Sequence, residues 1–195
     1  MKKTDNEMNA ILGIAKSLNE DYNANNLSKV IGITSMGTLK ILKKLEKEGI
    51  LKSNQMGNAF FYKVDFNNEY TIDYIKFLLK NEAEFSNPYV KRWIRELKKI
   101  GKADVIIIFG SVLKIGEKAN DIDVLFMVEK KSFVLLKSEI ERLNKINEKK
   151  IHPVYQTFSD LKSNLIKKDK VIINTIKGVV VKGEDKFIDL IKNIK

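Results

Sequence analysis

Two apolar runs, Val105 to Phe109 and Ile122 to Val128, the second interrupted only by Asp123, constrain this 195-residue chain more than any other feature of its sequence. Both are of strand length and rich in β-branched or aromatic residues, and neither shows the polar–apolar alternation of a half-exposed strand. They predict strands buried on both faces, which need helices to cover them. The flanking segments supply those helices: Phe133 to Asn147, Ser159 to Ile176 and Phe187 to Ile194 read as helical, with Ile151 to Phe158 and Gly178 to Val181 as further strands. The second half is therefore expected to be a mixed α/β domain.

The first half follows a different period. Met8, Ile11, Leu12, Ile14, Ala15 and Leu18 recur at helical spacing over Asn6 to Ser17, and the polar turn Asn19-Glu20-Asp21 follows. Asn25 or Asn26 can cap a short second helix that Gly32 ends, and Thr34 or Ser35 can cap a third, Met36 to Glu48, closed by Gly49. Ile50 to Ser53 and Ala59 to Val64 then predict two short strands around Gln55-Met56-Gly57-Asn58, a hairpin. Helices at Thr71 to Leu79 and Tyr89 to Ile100 flank the break Ser86-Asn87-Pro88. The spacing predicts one domain over 1–67, a helical connector over 68–87 and a second domain over 88–195. With no low-complexity linker between them, a structured joint is expected.

Composition excludes several classes of function. No window reaches about 18 uncharged apolar residues, and no apolar stretch follows the opening lysines, so the expectation is a cytoplasmic chain without membrane span, membrane partner or signal peptide. The absence of cysteine removes disulfides and thiolate metal sites, and with His152 as the single histidine a zinc site would have to be mostly carboxylate. A net charge of +11 favours a polyanionic partner but is spread along the chain, so it does not locate one.

From Thr34 to Leu45 there is no acidic residue, and the face opposite the apolar stripe carries Ser35, Met36, Lys40, Lys43 and Lys44. Short polar side chains at a helix start can enter a major groove, with lysines behind them on phosphates. An ordinary solvated helix face has the same composition. The order of elements decides between the two: helix, short helix, turn, basic helix ending in Leu45-Glu46-Lys47-Glu48-Gly49-Ile50-Leu51, then a hairpin bearing Phe60, Phe61 and Tyr62. Over residues 6–66 this resembles the winged-helix transcription regulators of bacteria and archaea. The resemblance implies that Ser35, Met36, Gly37 and Lys40 approach base edges, with Lys43, Lys44, Lys52 and Asn58 near the DNA backbone. It also raises a homodimer reading two half-sites, and a protein-interaction role as the alternative use of such a module.

The second motif is chemical. Phe109-Gly110-Ser111 follows one apolar strand, and Asp121-Ile122-Asp123 leads into the next. A Gly-Ser turn opening a helix presents backbone N–H groups and a hydroxyl to a phosphate. Aspartates at i and i+2 of a strand share a face, so both can hold a hard cation such as Mg²⁺ together with a triphosphate. The stretch Gly110 to Lys114 with Asn120 to Phe126 looks like the signature of the polymerase-β-type nucleotidyltransferase superfamily, especially its small prokaryotic members. That resemblance implies triphosphate binding by Gly110 and Ser111, with Lys114 in the same stretch, and metal-dependent catalysis through Asp121 and Asp123. Active members carry a further acid on the following strand. Here Lys149-Lys150-Ile151-His152-Pro153-Val154-Tyr155-Gln156 has His152 near that place and no acid within the strand, with Glu148 and Asp160 just outside. His152 can serve as a base or simply as a structural residue.

The chain is thus expected to be α+β, a winged helix-turn-helix joined to a nucleotidyltransferase-fold domain. Its expected function is a DNA-binding regulator whose second domain binds a nucleoside triphosphate (NTP) and Mg²⁺. The alternatives are an active nucleotidyltransferase passing NMP from NTP to a protein, nucleic-acid or small-molecule hydroxyl, and an antitoxin-like partner of another protein.

Overall fold

The computed structural model describes residues 5–18 and 20–194; the opening lysines and Asn19 of the expected first turn lie outside them. Among the described residues ten α-helices and six strands in two sheets form an α+β chain. It divides into two units, one running to Leu78 and the other from Leu79 to Ile194. The division falls inside one continuous helix, Glu69–Glu84, rather than at either edge of the expected 68–87 connector. Among the described residues no helix is long and apolar enough to cross a membrane.

The first unit opens with α1 (Asp5–Lys16), α2 (Ala24–Ile31) and α3 (Ser35–Lys47). Asn23, not Asn25 or Asn26, caps α2: its side chain accepts from the N–H groups of both later asparagines, and Asn26 returns a bond to the Asn23 N–H. Thr34 caps α3 by accepting from Gly37 N–H at 3.1 Å. Strands β1 (Leu51–Met56) and β2 (Ala59–Val64) pair antiparallel across the two-residue turn Gly57-Asn58; β2 spans the expected residues, whereas β1 runs on to Met56 rather than ending at Ser53. Tyr22 adds a one-residue third strand, its carbonyl accepting from Tyr62 N–H at 2.7 Å. Ile11, Ile14, Leu27, Leu42, Leu45, Ile50 and Tyr62 are buried together with Ile75 of α4 (Glu69–Glu84). Three helices, a hairpin and a bridging residue between α1 and α2 constitute a winged-helix arrangement.

In the second unit the end of α4 is followed by α5 (Pro88–Leu97), where Asn87 caps and Pro88 occupies the first turn. Strands β3 (Val105–Phe109), β4 (Ile122–Met127), β5 (Ile151–Gln156) and β6 (Val179–Lys182) form one mixed sheet in the order β5-β4-β3-β6. β4 and β6 both run antiparallel to β3, and β5 runs parallel to β4. Between β3 and β4 lies the one-turn α6 (Val112–Ile115), and α7 (Phe133–Ile146) is the crossover that the parallel pair needs. The predicted helix Ser159 to Ile176 is two: α8 (Phe158–Ile166) and α9 (Lys170–Ile176). Lys168 adopts a left-handed conformation between them, and the Asp169 carboxylate caps α9 through the Val171 and Ile172 N–H groups. α10 (Glu184–Lys192) closes the unit.

The two apolar runs are buried on both faces. Ile106, Ile108, Val124 and Phe126 pack with Trp93, Ile94 and Leu97 of α5 and with Leu136, Ile140 and Leu143 of α7. Gly178 lies so close to β3 that a Cβ there would stand 2.4 Å from the Ile108 carbonyl oxygen, which makes room for β6 to dock.

Candidate functional site

In the first unit α3 presents the expected basic face only in part. Ser35, Met36, Lys40 and Lys43 are exposed, Met36 to 65%, while Gly37 is half-buried under the Thr34 cap. Lys44 is turned inward, its ammonium bonded to the buried Glu7 carboxylate of α1. On the hairpin Asn58 is exposed at the tip, and Lys52 lies 3.6 Å from Asp65. Of the three lysines expected on this face, Lys40 and Lys43 are thus open to a partner, while the Lys44 charge is spent on holding α3 to α1.

In the second unit Asp121, Asp123 and His152 each offer a ligand atom, and these atoms lie within 4.8 Å of one another. The backbone explains the convergence. β4 and β5 are parallel in a register that sets Asp123 opposite His152, and the antiparallel register on the other side sets Asp123 opposite Phe109, one residue before Gly110. Asp121 sits one residue ahead of β4, two positions from Asp123 and so on the same face. Asp123 Oδ1 lies 2.9 Å from His152 Nδ1. Its other oxygen rests against the turn: a Cβ on Gly110 would come within 2.2 Å of Asp123 Oδ2. Gly110 also has φ of 79°, a conformation that side-chain-bearing residues disfavour. The turn and the carboxylate therefore occupy a fit that only glycine permits. Asp121 and Asp123 are half-buried, whereas the His152 side chain is 67% exposed.

Ser111, next to Gly110 in the chain, precedes α6 and Lys114 lies within it; both are exposed, and the Ser111 hydroxyl makes no capping bond. The helix that the Gly-Ser turn opens is a single turn, so its dipole contributes little to anion binding. Glu148 precedes β5, and Asp160 is far along the chain direction in the first turn of α8. There the Thr157 hydroxyl and N–H hold the Asp160 carboxyl below the usual carboxylate range. A cleft of about 720 Å³ opens at that opposite end, lined by Met127, Glu129, Thr157, Asp160, Lys186 and Asp189, and shares no residue with the aspartate pair. Two carboxylates on one face fit a hard divalent cation, but the third donor, an imidazole, is foreign to the all-oxygen shell that Mg²⁺ prefers. The residue absent from the sequence-derived ligand set is His152; the signal that finds it is the parallel register.

No family model and no curated protein matches the chain. Among solved structures it is similar to ZitR of Lactococcus lactis, a zinc-responsive MarR family member, at 16% identity and a TM-score of 0.30 over 51% of this chain and 76% of that one. Two mutants of ZitR give 14% identity at the same TM-score, covering 51% of this chain and 75% of theirs. At a TM-score of 0.30 these likenesses add nothing to the topology described above.

Proposed function

We propose that this chain is a DNA-binding regulator whose second unit, of nucleotidyltransferase type, binds a nucleoside triphosphate with a divalent metal ion. The observation that carries the reading is the seating of Asp123: one oxygen against the Gly110 turn, the other toward His152, with Asp121 on the same face. In that reading Asp121 and Asp123 hold the ion, for which Mg²⁺ is the first candidate from two carboxylates alone, and the ion neutralises phosphate charge. The Gly110 and Ser111 backbone and the Ser111 hydroxyl face the phosphates, with Lys114 nearby. DNA is met by Ser35, Met36, Gly37 and Lys40, with Lys43, Lys52 and Asn58 toward the phosphodiester backbone; a homodimer would let two such helices read two half-sites.

The experiment is fluorescence anisotropy of labelled duplex DNA at low salt, with and without NTP and Mg²⁺, on the wild-type chain and on Asp123→Asn. The expected result is DNA binding that nucleotide alters and that Asp123→Asn makes indifferent to nucleotide. No DNA binding at low salt rejects the regulator.

One observation favours a second reading, NMP transfer to an acceptor hydroxyl with release of pyrophosphate: His152 supplies a third donor where the strand has no acid. Labelled NTP incorporation into candidate acceptors tests it, and incorporation unchanged by Asp123→Ala rejects it.

A further inference from the structure

We infer that the ion taken by Asp121, Asp123 and His152 is a first-row transition-metal dication, bound one per chain with the His152 imidazole as third protein ligand, and that Mg²⁺ is the poorer occupant. This rests on the reading of the second unit as a metal-dependent nucleotide site and narrows it to a class of ion.

The donor set argues it. Mg²⁺ is small, keeps much of its water and takes oxygen ligands, whereas imidazole nitrogen suits the later dications. A carboxylate in the place of His152 would give three negative oxygen donors, enough to hold a pair of ions. The set present carries two negative charges and one neutral donor, which suits a single ion. The geometry is already made: His152 Nδ1 is 2.9 Å from Asp123 Oδ1, and all three donors lie within 4.8 Å of one another. An ion received between ring and carboxylate replaces the Nδ1–H hydrogen bond with two coordinate bonds. The ring takes the tautomer that carries its proton on Nε2, so that the Nδ1 lone pair is free for the metal, and the exposed ring needs no repacking of the sheet to do so. On its other side the Asp123 carboxylate lies close against the Gly110 turn, where even a Cβ would not fit. Two half-buried carboxylates beside an exposed imidazole are a mixed oxygen–nitrogen site.

The test uses Mn²⁺ as the probe. Loss of the free-ion electron paramagnetic resonance signal gives affinity and stoichiometry for the wild-type chain, competition by Mg²⁺ gives the preference, and pulsed spectra of bound Mn²⁺ report a coordinated imidazole nitrogen. The expected outcome is one Mn²⁺ per chain with nitrogen coupling. His152→Ala abolishes the coupling, and His152→Asp moves the Mn²⁺-to-Mg²⁺ affinity ratio toward Mg²⁺ by at least about tenfold. Because His152 is exposed, both variants are expected to melt like the wild type, and a melting curve checks it. Absence of nitrogen coupling, or a ratio that ignores His152→Asp, overturns the inference. If Asp123→Ala still abolishes Mn²⁺ and nucleotide binding in that case, the metal–nucleotide reading stands without it. If neither ion binds and Asp123→Ala changes nothing, both fall together.

Discussion

Gly110 shows how one residue can hold a site together without touching a ligand through a side chain. Its left-handed φ costs an alanine about 1–2 kcal/mol, and an added Cβ would stand 2.2 Å from Asp123 Oδ2, a distance that the carboxylate must yield. Gly110→Ala is therefore expected to leave the chain folded but less stable by at least that amount, and to weaken Mn²⁺ binding by about tenfold or more, comparable to losing a supporting contact of a metal ligand. Urea unfolding and metal titration on one preparation separate the effects, and unaltered metal affinity would break the link between turn and carboxylate. Asp160 offers a contrast at the other end of β5. Its carboxyl lies below the usual range because the Thr157 hydroxyl and N–H bond the charged form. A lowered folded-state pKa adds stability above the usual carboxylate range, and that stability is lost as pH falls through the lowered value. The wild-type chain should accordingly lose stability more steeply than Asp160→Asn below about pH 4, read as melting temperature against pH.

Helix α3 is the element whose roles divide most sharply by residue. Lys40 and Lys43 face outward, whereas Lys44 neutralises Glu7, which is buried on α1. Lys40→Ala is expected to weaken DNA binding and flatten its salt dependence with stability unchanged. Lys44→Ala should destabilise the chain by roughly 1–3 kcal/mol, the cost of stripping a partner from a buried charged group. Anisotropy and urea unfolding of both variants check the pair, and equal stabilities would refute the division. This ion pair also marks the limit of what was legible in advance. The helices, the hairpin and strands β3 and β4 follow from local period and turn residues, and so does the Asp121/Asp123 face. Lys44 and Glu7 stand 37 residues apart, so no local pattern distinguishes Lys44 from the solvent-facing Lys43 beside it. His152 meets Asp123 across 29 residues through the register of a parallel pair, which local spacing does not set. The break between α8 and α9 is hidden in the sequence because apolar spacing continues through it, and its local sign is Asp169, a capping residue. Asn23, Asn25 and Asn26 are chemically alike, so backbone geometry alone chose the cap of α2.

At the scale of the whole molecule the two units have separate apolar cores, and only the second contains the single tryptophan, Trp93, 1% exposed within that core. Its fluorescence therefore reports the second unit, while far-ultraviolet circular dichroism reports both. Ile108→Ala, which empties a fully buried position of β3, is expected to cost about 2–5 kcal/mol in the unfolding followed by Trp93; an unmoved fluorescence midpoint would contradict the placement of β3 in that core. The strand order carries a consequence in time. β1 meets β2 at once around a two-residue turn, but β3 receives its second neighbour, β6, only after β4, β5 and the intervening helices have been made. A chain leaving the ribosome N-terminus first thus completes its hairpin early and carries β3 with one edge bare until Lys182 emerges. Bare apolar edges recruit other chains. The synthesis of the stretch from Phe109 to Lys182 is therefore the interval in which a nascent copy is most exposed to aggregation, and slowing translation there lengthens it.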